Sequence, residues 1–170
     1  MNATKTGYKI IGLSGSLRND STNTALIKLA SDLRPKDKVA DIEIVSYKDV
    51  PVYDGDIEAS GIPKTVLDIA EKIRQADAVY VSTPEYNYSY SAAIKNIIDW
   101  LTRCSPNPFE GKPIAIASVS AGPSGGLRAQ YDLRKVFLYS KVHIMDLPEL
   151  AVNTNYMKFS KTAPITTSDE

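Results

Sequence analysis

Five short apolar runs along the chain have the character of buried β-strands. Each run is rich in β-branched or aromatic residues and is followed by small or turn-forming residues, a pattern typical of strands covered on both faces. The predicted strands are Tyr8–Ile11, Ile42–Tyr47, Ala78–Thr83, Ile114–Val119 and Lys141–Met145.

Four amphipathic stretches separate these runs. Their apolar residues recur at spacings of three and four, which is the period of one helix face. The predicted helices are Thr24–Leu33, Pro63–Gln75, Ala92–Leu101 and Leu127–Tyr139. Strands that alternate with helices predict an α/β fold, with a doubly wound parallel sheet and helices on both faces.

Two segments do not follow this alternation. Tyr47–Asp56 has strong turn chemistry, and a loop of this length lies at a subunit contact or over a site, or is a plain surface excursion. From Asp146 onward no element is predicted, and a polar tail begins at about residue 152. Because no linker or repeat is evident, we expect residues 1–170 to form a single domain.

Composition narrows the classes of function. The 20 Lys and Arg residues balance the 20 Asp and Glu residues, so there is no basic surface for nucleic acid and little charge to oppose self-association. No run approaches the roughly 20 residues of a membrane span, and the N-terminus has no apolar signal core. The single cysteine, Cys104, excludes a disulfide framework and a zinc cluster. We therefore expect a cytoplasmic protein without a nucleic-acid partner, a membrane partner or a metal.

A small polar loop between the first strand and the first helix has the character of a phosphate site. Backbone N–H groups, hydroxyls and the positive end of a helix all stabilise an anion, and Arg18 adds a cation. The residues that supply these groups are Gly12, Ser14, Gly15, Ser16, Ser21 and Thr22. The alternative is a plain turn in which Ser21 or Thr22 only caps the helix.

This loop matches neither of the common nucleotide motifs. It lacks the Gly-Lys-Ser/Thr of the ATP-type P-loop, and Gly12 and Gly15 do not fit the dinucleotide pattern G-x-G-x-x-G. It also lacks the cysteine of phosphatases that attack from such a loop.

Two further loops follow the third and fourth predicted strands. Thr83–Tyr90 is dense in aromatic and amide side chains, and Ser118–Gly126 is rich in small residues that let the backbone approach a flat ligand. Ligands of open parallel sheets bind beyond the carboxyl ends of strands, where the strand order reverses. Together with a phosphate site, these loops suggest a planar, phosphate-bearing ligand such as flavin mononucleotide (FMN).

Three motifs in order along the chain resemble the NADPH-dependent FMN reductase family. They are GSLRNDSTN at Gly15–Asn23, TPEYNYS with KNIIDWLTR across Thr83–Arg103, and GKPIAIASVSAGPSGGLRAQ at Gly111–Gln130. The resemblance implies a flavodoxin-like sheet of order 2-1-3-4-5, FMN as cofactor, NADPH or NADH as reductant, and a homodimer or homotetramer. We expect the subunit interface to include Asp99, Trp100 and the loop at Val50–Asp56.

The resemblance also implies which residues bind the cofactor. Those around the phosphate are Ser14, Ser16, Arg18, Ser21, Thr22 and Asn23. Those along the ring and ribityl chain are Pro84, Glu85, Tyr86 and Asn87, with an ion pair across a subunit contact as the alternative for Glu85. Those near the ring face are Ser118, Ser120, Gly122, Gly125 and Gly126, whose loop, with the start of the fourth helix, is expected to donate to the reduced flavin.

The chain departs from many relatives after PEYN, where Tyr88 and Tyr90 replace a segment with proline and glycine. An extended segment would place Tyr86, Tyr88 and Tyr90 on one side, so we expect them to wall the substrate site. Packing against a neighbouring subunit is the alternative.

No side chain is expected to do covalent chemistry, because the flavin carries the hydride. His143 falls in a predicted buried strand and is interpreted as a core or sheet-end residue rather than a catalytic acid, and Cys104 is interpreted as an inert thiol. The predicted function is an oxidoreductase that passes electrons from NAD(P)H through FMN to a flavin, quinone, azo compound or metal oxyanion. A flavodoxin-like electron carrier or redox sensor without nicotinamide turnover is the alternative, and a flavin-free binding module is a third reading.

Overall fold

The computed structural model describes residues 7–34 and 39–153. Its strands are β1 (Gly7–Ser14), β2 (Val39–Ile44), β3 (Ala78–Thr83), β4 (Glu85–Tyr86), β5 (Ser89–Tyr90), β6 (Pro113–Val119), β7 (His143–Ile144) and β8 (Leu150–Val152). Its helices are α1 (Thr22–Asp32), α2 (Gly55–Ser60), α3 (Lys64–Gln75), α4 (Ala92–Leu101) and α5 (Leu127–Phe137), with a 3₁₀ turn at Leu138–Ser140.

The central sheet is parallel and has the order β2-β1-β3-β6-β7, with β8 also paired to β6. Strands β4 and β5 form a separate antiparallel hairpin. The order 2-1-3-4-5 predicted from the sequence is confirmed, since β6 is the fourth strand of the sheet. It follows that the strand order reverses between β1 and β3.

The fifth position of the sheet differs from the prediction. Only His143–Ile144 of the predicted strand pairs with β6, and a second strand, β8, lies where no element was expected. The two pieces pair with opposite ends of β6, at Pro113 and at Val119. Pro148, between the pieces, has no N–H to donate to a ladder, so one continuous strand cannot form there.

The second strand, β2, ends at Ile44, whereas the sequence predicted that it continues to Tyr47. Val45 and Tyr47 lie beyond β2 but are buried in the main core, and the N–H of Val45 still donates to the carbonyl of Gly12 in β1 at 3.2 Å. The apolar pattern of Ile42–Tyr47 therefore placed the strand three residues too late. Helix α2 was also missed; it begins at the end of the long loop, where Asp54 caps it by accepting from the N–H of Asp56 at 2.7 Å.

The long loop packs on α4 of its own chain. The carbonyl of Pro51 accepts from Trp100 Nε1 at 2.9 Å and from Asn96 Nδ2 at 2.8 Å, and the Tyr53 ring meets the Trp100 ring edge-on at 5.1 Å. Trp100 is fully buried. The prediction that Trp100 contributes to a subunit interface is therefore wrong, because this chain already covers the indole.

Helices lie on both faces of the sheet, as predicted. Apolar residues of α3, α4 and α5 share one core with Ile11, Val81 and Ile116. Leu26 of α1 packs on the other face against Ala117 and Val119. No helix among the described residues has the length and apolar character needed to cross a membrane.

An apolar groove of about 620 Å³ lies beside α1 at the amino ends of the strands. His143 lines this groove and is exposed, so of its two expected positions, the core and a sheet end, the structure shows the sheet end. The cause is the short β7 strand, which leaves His143 at an open edge. The predicted polar tail falls almost wholly on residues 154–170, outside the described residues.

Candidate functional site

A cleft of about 310 Å³ opens at the carboxyl ends of β1, β3 and β6. It lies where the strand order reverses, the usual ligand position of such sheets. The residues that line it are Ser16, Arg18, Thr22, Asn23, Pro84, Glu85, Tyr86, Val119, Ser120 and Ala121. All three loops that the sequence singled out therefore meet in one site.

The N-terminus of α1 faces this cleft. Thr22 and Asn23, the first residues of the helix, line the cleft, so the positive end of the helix dipole points into it. Ser21 is the N-cap, and its hydroxyl accepts from the N–H of Thr24 at 3.1 Å. The structure therefore shows Ser21 as the cap of α1, which was the alternative to a phosphate ligand.

Ser14 lies behind the loop. Its hydroxyl accepts from Thr24 Oγ1 at 2.8 Å and donates to the carbonyl of Ser16 at 3.2 Å. The carbonyl of Ser14 also accepts from the Tyr47 hydroxyl, whose pKa is raised by burial. Ser14 is not among the lining residues; it fixes the shape of the loop that carries Ser16 and Arg18.

Asn23 ties the site to the sheet. Its Oδ1 accepts from Ser82 Oγ at 2.8 Å and from the N–H of Val119 at 3.0 Å, while its Nδ2 donates to the carbonyl of Val119 at 3.1 Å. The amide is buried and bonded at both ends, and it joins α1 to β3 and β6.

Arg18 is the cation of the site. It is exposed at the cleft wall and has no hydrogen-bond partner within the described ranges. A guanidinium beside the N-terminus of a helix makes an arrangement that stabilises a bound anion.

The first loop approaches the third strand very closely. A Cβ on Gly15 would lie 2.9 Å from Thr83 Oγ1 and 3.1 Å from Pro84 Cδ. The N–H of Gly15 donates to the carbonyl of Ser82 at 2.7 Å. Only glycine lets the two walls of the cleft meet in this way.

The tyrosine-rich segment is a hairpin and not an extended strand. Asn87 and Tyr88 have φ angles of 49° and 69° and form the turn between β4 and β5. Because Tyr86 pairs with Ser89 while Tyr90 pairs with Glu85, Tyr86 and Tyr90 point to opposite faces of the hairpin. The prediction that three tyrosines share one side is wrong.

The three rings accordingly have different surroundings. Tyr86 lines the cleft and is 54% exposed, whereas Tyr88 is 70% exposed at the turn. Tyr90 packs against the main core. Asn87 is exposed at the turn and is not among the lining residues.

Glu85 is held by α5 of its own chain. Its carboxylate accepts from Arg128 Nη1 at 3.1 Å and from Ser124 Oγ at 3.3 Å, and the side chain is only 11% exposed. The ion pair expected as the alternative for Glu85 therefore exists, but within one chain.

Hydrogen bonds and close contacts within the third loop, Ser118–Gly126, hold much of its conformation. Ser118 Oγ donates to the carbonyl of Gly125 at 2.7 Å, and a Cβ on Gly126, whose φ is 97°, would lie 2.7 Å from Ser118 Cβ. The N–H groups of Gly122, Gly125 and Leu127 bond within the loop. Those three groups are thus already used, so donation from this loop to a ligand, which stays a prediction, would come from its other groups, such as the Ser120 hydroxyl at the cleft.

Sequence reasoning missed Val119, Ala121, Ser124 and Arg128. Val119 and Ala121 flank Ser120, and their small or apolar side chains gave no separate signal. Arg128 is part of the third motif, GKPIAIASVSAGPSGGLRAQ. From sequence alone, however, an arginine in the first turn of a helix cannot be distinguished from one that is simply exposed to solvent.

Other candidate groups lie away from the cleft. His143 pairs with Pro113, at the end of β6 opposite the cleft. The Cys104 thiol is buried, which raises its pKa, so the reactive thiolate is disfavoured. Within residues 7–34 and 39–153, no three His, Cys, Asp or Glu side chains cluster closely enough to hold a metal ion.

Comparison with known proteins places this geometry in a family. The model of the NADPH-dependent FMN reductase family matches residues 8–156. The chain is 42% identical over 146 residues to an NAD(P)H-dependent FMN reductase of Pseudomonas aeruginosa, covering 86% of this chain and 78% of that protein. It is 40% identical over 142 residues to a quinone reductase of Escherichia coli K12, covering 83% and 75%.

A solved structure has the same fold. The flavoenzyme NAD(P)H:(acceptor) oxidoreductase FerB of Paracoccus denitrificans superposes with a TM-score of 0.81 at 34% identity, covering 91% of this chain and 84% of that one. The match to the family model, at residues 8–156, includes the strands of the sheet and all three loops of the cleft. The chain belongs to the NADPH-dependent FMN reductase family.

Proposed function

We propose that this chain is an NAD(P)H-dependent oxidoreductase that holds FMN in the cleft and passes electrons to a flavin, a quinone or an azo compound. The observation that carries the proposal is the composition of the cleft. A helix N-terminus and Arg18, which has no hydrogen-bond partner among the residues that the structure describes, lie at one wall, and an aromatic hairpin lies at another.

The wall near α1 fits the phosphate of FMN. Ser16, Arg18, Thr22 and Asn23 line it, with the helix dipole behind them. A phosphate dianion is stabilised by hydroxyls, N–H groups and a guanidinium together. Ser14 and Ser21 support this wall from behind through their own hydrogen bonds.

The remaining walls fit a flat, largely apolar ring system. Pro84, Tyr86, Val119 and Ala121 offer apolar surface, and Ser120 offers a hydroxyl. Bound FMN supplies the chemistry, which is acceptance of a hydride from the nicotinamide and its delivery as electrons to the acceptor. The protein orients the reactants and restricts water, which requires no covalent catalytic residue.

The decisive experiment is an anaerobic titration of the FMN-loaded protein with NADPH and, separately, NADH. Loss of the flavin absorbance band within the mixing time, followed by its return when a quinone is added, is the expected result. A flavin that stays oxidised with both nicotinamides, yet is reduced by dithionite, would assign the chain to the electron carriers. A chain that takes up no FMN would be the flavin-free binding module.

Four properties remain predictions: the identity of the acceptor, the preference between NADPH and NADH, assembly as a homo-oligomer, and location in the cytoplasm. A turnover screen of flavins, quinones, azo dyes and metal oxyanions with both nicotinamides addresses the first two. Relatives named quinone reductase make quinones the first class to test.

A further inference from the structure

The β4–β5 hairpin forms one wall of the cleft but is not part of the central sheet. It contributes Glu85 and Tyr86 to the lining of the cleft. Within the described part of the chain no ladder hydrogen bond joins the hairpin to the sheet, so its short connections to β3 and α4 and its side-chain contacts set its position.

The turn of this hairpin adopts a backbone conformation that does not suit its second residue. Asn87 and Tyr88 both have positive φ, at 49° and 69°. Such two-residue turns favour Asn followed by Gly, since a side chain with a Cβ is disfavoured in the left-handed region. Asn87 fits the turn, but Tyr88 needs an additional contact to remain there.

Arg128 provides that contact. Its guanidinium carbon lies 4.3 Å from the centre of the Tyr88 ring, within the range of a cation–π interaction. The same guanidinium donates through Nη1 to Glu85 Oε1 at 3.1 Å and to Ser124 Oγ at 3.2 Å. Ser124 Oγ in turn donates to Glu85 Oε2 at 3.3 Å. One arginine thus holds the start of the hairpin, its turn and the β6–α5 loop.

These three segments belong to two neighbouring parts of the protein that contact each other directly. Glu85 and Tyr88 are in the hairpin, whereas Ser124 and Arg128 belong to the loop and first turn that follow β6. Arg128 is not among the lining residues, so it acts on the cleft through Glu85 and the hairpin.

The geometry points to Arg128 as a positioning residue that sets the width of the flavin cleft at its ring end, an inference that rests on the proposed function. Arg128 holds the hairpin wall, with Tyr86, against the β6–α5 loop. A lysine can pair with Glu85 but lacks the planar group that stacks on Tyr88. Loss of Arg128 should therefore loosen the ring end of the cleft and leave the phosphate end intact.

Flavin binding without turnover tests this directly. In Arg128→Ala, the Kd values of FMN and of riboflavin, followed by flavin fluorescence, should rise by a similar factor of about five to twenty. Arg128→Lys should recover part of the loss. Lys135→Ala, which breaks an exposed pair with Asp132 on the same helix, should change neither Kd.

Hydrogen exchange of the flavin-free protein tests the role of Arg128 without depending on the proposed function. Hydrogen exchange at the amides of residues 86–90 should accelerate in Arg128→Ala, while exchange in the middle of α5 should match wild type. A double-mutant cycle of Arg128→Ala with Glu85→Gln should be strongly non-additive for riboflavin binding, since the two side chains act as one unit.

The results that overturn the inference are specific. Unchanged hairpin exchange, additive double mutants, or a loss of FMN affinity without loss of riboflavin affinity would each remove the positioning role. If the wild-type chain binds no flavin, the proposed function fails, and hairpin exchange still decides whether Arg128 holds the wall.

Discussion

Arg18 and Arg128 both lie near the cleft, but their surroundings differ. Arg18 lines the cleft and has no partner in the described part of the chain, whereas Arg128 bonds to Glu85 and Ser124 behind the wall. The first is therefore placed to meet a ligand, and the second to hold the protein.

The first prediction concerns Arg18. Arg18→Ala should weaken FMN binding by about tenfold to a hundredfold, because a charge-assisted contact to the phosphate is lost. Riboflavin, which has no phosphate, should bind both proteins equally. Arg34→Ala is the matched control, since Arg34 bonds to Ser31 at the other end of α1. Equal FMN affinity in wild type and Arg18→Ala would contradict the phosphate assignment.

The second prediction concerns Asn23. Asn23→Ala should lower the free energy of unfolding by about 2–4 kcal/mol, because it leaves the buried N–H and C=O of Val119 without their partner. Ser21→Ala, which removes only the helix cap, should cost about 1 kcal/mol. Urea unfolding of the flavin-free proteins measures both values. A smaller loss in Asn23→Ala than in Ser21→Ala would refute the role of this amide.

At the element scale, the β4–β5 hairpin decides which tyrosines can meet a substrate. A strand places alternate residues on one side, but a hairpin turns the chain back, so Tyr86 and Tyr90 face opposite ways. Tyr86 lines the cleft, so its role at the substrate wall stays a prediction, whereas Tyr90 packs against the core of its own chain.

The third prediction separates these two roles. Tyr86→Ala should lower kcat/KM unevenly among acceptors, by roughly two- to tenfold for flat quinones that stack on the ring, while NADPH reduces the flavin at the wild-type rate. Tyr90→Ala should instead lower the free energy of unfolding by about 1.5–3 kcal/mol through lost burial. Stopped-flow reduction, steady-state kinetics and urea unfolding provide the three readouts. A uniform loss across all acceptors in Tyr86→Ala would count against the substrate role.

At the scale of the whole molecule, the buried Trp100 changes where a subunit interface can lie. The loop around Pro51 covers the indole, so a partner cannot use it. Two exposed apolar side chains outside α4 remain available to a partner. Val52, in the long loop, is 81% exposed, and Tyr139, in the 3₁₀ turn, is 80% exposed. Tyr139 lines a groove together with Asp99, the other residue expected at the interface.

The fourth prediction follows from this surface. Light scattering at micromolar concentration should return a mass of at least twice that of the 18.6 kDa chain. Val52→Asp and Tyr139→Asp should lower that mass, because each places a charge in an apolar contact. Leu67→Asp, an equally polar change at an exposed position of α3, is the control and should leave it unchanged. A monomer mass for wild type would defeat the predicted homo-oligomer.

The sequence by itself determined the order and type of the main elements and the region of the site. Apolar runs that alternate with amphipathic stretches depend on local periodicity, which is visible without coordinates, and β3 and α4 match their predicted bounds. The three motifs likewise located the loops after β1, β3 and β6. The resemblance that they carry named the family.

Tertiary structure decided what each side chain in those loops does. Whether Ser21 caps a helix, Trp100 is covered by Pro51, or Glu85 meets Arg128 depends on partners that are distant along the chain. The hairpin and the divided fifth strand also depend on non-local pairing, since segments of two or three residues carry no periodic signal. Periodicity reports which face of an element is buried, but only the fold brings together the atoms that share a hydrogen bond.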